Sequence, residues 1–90
     1  MTDRDTLISE LPAVLLAAVE RPAPPGGLRD DEPLFGPDAR LDLDSLDALQ
    51  LSMAIQKRYG VRMPDSKDTR RALESLARLA DHLLAHMRRA

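Results

Sequence analysis

Residues 42–60 read Asp42-Leu43-Asp44-Ser45-Leu46-Asp47-Ala48-Leu49-Gln50-Leu51-Ser52-Met53-Ala54-Ile55-Gln56-Lys57-Arg58-Tyr59-Gly60. Neither Pro nor Gly interrupts Ser45–Tyr59, and Gly60 suits the left-handed backbone that commonly ends a helix. Ser45 stands just ahead of Leu46, where an N-cap belongs. The stretch is expected to be a helix capped by Ser45. At about 100° per residue, Ala48, Leu51, Ile55 and Tyr59 fall on one side, with Leu46, Leu49 and Met53 nearly opposite. Two opposed apolar stripes leave two arrangements open. Either the helix is packed on both flanks, or Leu46, Leu49 and Met53 form an exposed strip for a partner or a bound chain.

Upstream, residues 21–43 hold Pro22, Pro24, Pro25, Gly26, Gly27, Pro33, Gly36 and Pro37. That density of breakers forbids regular structure and predicts a long loop, with Leu34, Phe35 and Leu41 as its anchors to the core. Leu34-Phe35 reads as an anchor rather than a binding element. Before the loop, Leu7, Leu11, Val14, Leu15 and Ala18 recur at spacings of three and four, which predicts a first helix. Pro12 lies inside it, so the helix either kinks there or starts late, with Ser9 as cap and Pro12 in the first turn.

Downstream, Leu73, Leu76, Leu79, Ala80, Leu83, Leu84 and Met87 keep helical register. Ser66 and Ser75 are both cap candidates, which fits a short helix followed by a longer one. No strand pattern or internal repeat is present. The fold class is all-α: a bundle of three main helices plus a short one, with a long Pro/Gly-rich loop between the first two. Residues 1–90 are expected to form a single domain.

Composition removes several functions. The 90 residues contain no cysteine, so disulfides, thiolate metal sites and a cysteine nucleophile are excluded. One Tyr, one Phe and no Trp leave no stacking platform for single-stranded nucleic acid. An apolar fraction of 43% beside 31% charged residues is that of a folded domain. The longest apolar stretch, residues 11–19, is too short to span a membrane, and the acidic residues before it make a poor signal peptide. The expected location is cytoplasmic. Residues 1–50 hold eleven acids and four bases, residues 51–90 four and nine, so the chain has an acidic and a basic half, suited to protein partners.

Ser45 is more than a cap candidate. The unpaired N–H groups and positive dipole of a helix N-terminus favour a phosphate attached there. Asp44 and Asp47 would oppose that phosphate, which suits them to recognition by an outside partner or modifying enzyme. These residues, within Leu41-Asp42-Leu43-Asp44-Ser45-Leu46-Asp47-Ala48-Leu49-Gln50-Leu51, resemble the Asp-Ser-Leu signature of acyl carrier proteins, the phosphopantetheine-binding family. The likeness extends over nearly the whole chain: a first helix, a long loop with Pro33-Leu34-Phe35-Gly36, a Ser-initiated second helix and two C-terminal helices. Tyr59-Gly60-Val61-Arg62-Met63 with Asp68-Thr69-Arg70-Arg71 is similar to the stand-alone carriers of aryl-polyene-type type II polyketide clusters.

The resemblance implies that Ser45 carries a covalent 4′-phosphopantetheine arm, transferred from coenzyme A by a phosphopantetheinyl transferase. The thiol of that arm would hold growing acyl or polyketide intermediates as thioesters. The chain itself would then be no enzyme. Its implied partners are ketosynthase, ketoreductase, dehydratase and acyl-loading enzymes of polyketide or fatty acid synthesis, and by itself it is expected to be a monomer. Asp44, Leu46, Asp47, Leu49, Gln50 and Met53 would form the recognised surface, while Leu51, Ile55 and Tyr59 face the core. The cargo would either enter a cavity between helices or pass directly to a partner. One departure stands out: the second helix has Asp47 as its only acid, and Gln50 where family members commonly have Glu. That predicts a dedicated partner set.

Other signals carry less. His82 and His86 have metal-ligand spacing, but two ligands with no clear third favour a solvated last turn, and no metal is expected. Ser45, a His and an Asp lack the strand-turn-helix elbow of a hydrolase. A small helical interaction module remains as the alternative, with Ser45 only a cap. In one form it binds nucleic acid through Arg70, Arg71, Arg78, Arg88 and Arg89, against which the acidic half and the lack of a recognition helix weigh.

Overall fold

The computed structural model describes residues 3–63 and 67–87. Four helices follow one another: α1 (Arg4–Val19), α2 (Ser45–Tyr59), α3 (Lys67–Ala72) and α4 (Leu76–Met87). No strand occurs among the described residues; an isolated parallel bridge joins Phe35 to Leu43. The all-α bundle of three main helices and a short one is the architecture its apolar periodicities predict.

In α1, Asp3 is the cap and its carboxylate accepts the Thr6 N–H at 2.8 Å. Ser9 is therefore an interior residue, and the late-start alternative does not hold. The helix runs through Pro12, which has no N–H to give the carbonyl four residues back. Leu7, Leu11, Leu15 and Val19, each one turn apart, are buried in one row. Burial of each such leucine contributes roughly 1.5–3 kcal/mol. The helix ends where Glu20 turns left-handed, and the N–H groups of Glu20 and Arg21 both reach the Leu16 carbonyl.

The core row of α1 meets Leu51 and Ile55 of α2 and Leu76, Leu79, Ala80 and Leu83 of α4. Val61 and Met63 close it from the segment after α2. Gly60 ends α2 in the left-handed conformation, as expected, with φ 72°. Ser75 caps α4 by accepting the Arg78 N–H at 3.2 Å. Ser66 lies outside the described residues.

The long loop is tied down at several points. Leu34 and Leu41 are buried in the core. The Leu34 N–H bonds the Glu74 carbonyl, and the Ala77 N–H bonds the Asp30 carbonyl, which fastens the loop to the α3–α4 corner. Arg40 gathers the rest: its guanidinium donates to the carbonyls of Pro25 and Gly27, at 2.8 and 2.6 Å, and to the Glu32 carboxylate. Leu34 is the fully buried anchor of that pair, while Phe35 is half-buried and packs against the core from its edge.

Candidate functional site

The N-terminus of α2 is built by a reciprocal cap. The Asp44 carboxylate accepts the Asp47 N–H at 3.0 Å, and the Asp47 carboxylate accepts the Asp44 N–H at 3.1 Å. Asp44, not Ser45, is thus the N-cap, and Ser45 is the first helical residue. The reason is geometric. A cap side chain must reach the N–H two or three residues on, and Asp44 does so while Asp47 returns the bond. Ser45 is left exposed, with no part in the cap. The Asp47 N–H beside the Asp44 carboxylate is also the chief reason that its pKa is lowered.

Arg21 braces the turn from outside α2. Its guanidinium donates to the Leu41 carbonyl at 2.6 Å and to the Asp47 carboxylate at 3.3 Å. Asp47 is consequently buried, which corrects its expected place on the outward surface. Its bonds point to the Asp44 N–H and Arg21, leaving little to offer a partner. Just before the cap, Asp42 holds a left-handed backbone with φ 46°. The chain enters α2 through this unusual turn, with Leu41 and Leu43 buried on either side.

Ser45 stands on the rim of an open groove of about 840 Å³ between α2, α3 and the long loop. Phe35, Leu43, Ala48, Leu49, Met63 and Leu73 give it apolar walls. Ser52, Thr69, Arg70 and Glu74 add polar groups. The remaining expected surface residues divide by exposure. Leu46, Leu49 and Met53 are 63%, 57% and 64% exposed, so the arrangement with both flanks packed does not hold. Asp44 is exposed and Gln50 half-buried. Leu51 and Ile55 are fully buried and Tyr59 is partly so, its hydroxyl donating to Glu10 at 3.2 Å.

Phe35, Arg21, Met63 and Arg70 were not singled out for this site from the sequence. Phe35 and Arg21 reach it through the course of a loop that no periodicity encodes. Of the arginines considered for nucleic acid, Arg70 lines the groove, Arg78 pairs with Glu74 at 3.3 Å, and Arg88 and Arg89 lie outside the described residues. The His82 and His86 rings lie 4.0 Å apart. His86 Nδ1 is 2.8 Å from the His82 carbonyl, which can only accept, so that nitrogen carries the proton. Among the described residues no cluster of three or more potential ligands could hold a metal.

These features fit a phosphate-linked arm. An exposed hydroxyl opens the first turn of a helix, where the dipole favours a phosphate, and a groove with apolar walls runs beside it. The family model described as "Phosphopantetheine attachment site" matches residues 15–83, which include the α2 cap, Ser45 and every residue lining the groove. No curated protein and no solved structure matches the chain. With the family match covering most of its length, the chain belongs to the phosphopantetheine attachment family: it is a carrier domain for 4′-phosphopantetheine and not an enzyme.

Proposed function

We propose that Ser45 is the attachment residue and that the chain carries acyl or polyketide intermediates for type II polyketide or fatty acid synthesis. The observation that carries this reading is the freedom of the Ser45 side chain. Asp44 and Asp47 complete the cap between them, so the one hydroxyl at the helix start is exposed and available for modification. The arm supplies a thiol that this cysteine-free chain lacks, and with it thioester chemistry.

The chain's own residues orient and shield. Arg21 and Asp47 hold the first turn of α2, and the dipole of that helix favours the phosphate. The groove beside Ser45 can shelter part of an arm or its cargo without enclosing it. Leu46, Leu49 and Met53 offer the contact surface for a phosphopantetheinyl transferase and for ketosynthase, ketoreductase, dehydratase and acyl-loading enzymes. The likeness of Tyr59–Met63 and Asp68–Arg71 to aryl-polyene-type carriers supports a polyketide pathway of that kind. The scarcity of acids on α2 supports a dedicated partner set.

Intact mass after incubation with coenzyme A, Mg²⁺ and a broad-specificity phosphopantetheinyl transferase tests the assignment. One phosphopantetheine should be gained, and Ser45→Ala should gain none. A folded wild-type protein that stays unmodified beside a modified control carrier would return Ser45 to an ordinary helix position. It would also revive the interaction-module alternative.

A further inference from the structure

The outward row of α2 runs Leu46, Leu49, Gln50, Met53 and Lys57, successive turns of one face. Leu46, Leu49 and Met53 are more than half exposed, and Lys57 is exposed one turn beyond Met53. No carboxylate of the helix reaches this face. Asp47 is its only acid, and it is buried against Arg21 and the Asp44 N–H. Negative charge near the row is concentrated at the Ser45 end, where Asp42 and Asp44 are exposed. Arg58 lies off the row, 4.0 Å from Glu10. The face is therefore apolar along its middle, acidic at one end and basic at the other.

Three large apolar side chains exposed side by side on so small a domain mark a contact surface. We propose that this face docks a partner protein through an apolar socket with reversed rims. The partner carries basic groups only where it meets Asp42 and Asp44, and a carboxylate where it meets Lys57. The inference rests on the carrier reading above. A partner basic along its whole rim would set like charge against Lys57, which costs affinity and slows encounter. A second copy of this chain is a weaker fit. Three side chains fall well short of the roughly 800 Å² per partner that a stable dimer buries.

The test begins with protein modified at Ser45 and verified by mass. The probes are a carrier-dependent ketosynthase with a basic docking patch and a version of it in which the patch residue farthest from Ser45 is changed to Glu. Acyl transfer is measured as kcat/KM for the wild-type chain and for Lys57→Glu, with sedimentation equilibrium run alongside. Wild type should favour the Glu-bearing ketosynthase by roughly three- to tenfold, and Lys57→Glu should invert that preference. Equal use of both ketosynthases, or preference of the wild type for the all-basic one, would overturn the proposal. So would a dimer that Met53→Glu abolishes. Absence of modification at Ser45 would remove the carrier reading and this inference together. Normal modification without inversion would remove this inference alone.

Discussion

Asp44 and Asp47 hold each other: each carboxylate accepts the other's backbone N–H, at 3.0 and 3.1 Å, and Arg21 closes on Asp47 from the loop. Asp47→Ala removes one half of this cap and leaves Arg21 without its carboxylate. The expected loss is about 1–2 kcal/mol of folding stability, read by urea denaturation. Asp47→Asn keeps an acceptor for the Asp44 N–H and should lose less. Equal losses in the two variants would show that the cap bond contributes little.

Acid should weaken the same turn. The Asp44 pKa is lowered chiefly by the Asp47 N–H, and the Asp3 pKa by the Thr6 N–H at the start of α1. Because both folded-state values lie below those of the unfolded chain, their contribution is complete above the unfolded value. It is lost as pH falls through the folded one. Thermal midpoints should therefore drop below about pH 4, and Asp3→Asn/Asp44→Asn should flatten that drop. An equally steep fall in the double variant would assign acid sensitivity elsewhere.

Ser45→Ala should fold as well as the wild type, within about 0.5 kcal/mol, because Ser45 makes no cap bond. Were Ser45 the cap, the loss would be about 1 kcal/mol, so a single denaturation curve separates the two roles.

The cap shows where the sequence speaks and where it does not. The extent of α2 is plain from the breaker-free run and Gly60. Asp44 and Ser45, however, are adjacent residues of equal capping aptitude. Only the return bond from Asp47 decides between them. The burial of Asp47 was partly legible, since it stands one turn before Leu51 and two before Ile55 on the core side. What forces it inward, Arg21, lies 26 residues earlier across a loop that no pattern traces. The groove was hidden for the same reason: Phe35 and Met63 come from segments without periodicity. The exposed strip was visible as a second stripe, and only the packing could show that none of the described residues covers it.

Tyr59 is the only tyrosine, so its absorbance titration is free of overlap. Its pKa is raised, first by burial, with the Glu10 carboxylate adding to the effect. A raised folded-state value means this contribution is present below the unfolded pKa and is lost as pH rises through the folded one. The phenol should ionise above the ordinary value of about 10. Glu10→Gln should bring that midpoint down without restoring it fully. A midpoint unmoved by Glu10→Gln would mean that the hydroxyl does not use that partner in solution.

His82 should make the α3–α4 region sensitive to mild acid. Its Nε2 is buried with no hydrogen-bond partner among the described residues, and burial followed by the charge of His86 lowers its pKa, against a smaller opposing effect of Asp68. The stability tied to this neutral ring is present above the unfolded pKa and is lost as pH falls through the folded one. Thermal midpoints should decline below about pH 6.5, and His82→Leu should remove that decline while leaving the behaviour below about pH 4 intact. A decline that persists in the variant would place its origin outside His82.

Arg40 has one more consequence. By holding Pro25, Gly27 and Glu32 at once, a single guanidinium makes the Pro/Gly-rich connection, whose Pro33 and Phe35 share the groove with Ser45, a fixed parapet rather than a leash. An approaching macromolecule meets helix and parapet at a preset spacing. Discrimination can then be shared between two surfaces far apart in sequence, and replacing Arg40 would blur that spacing without touching either surface.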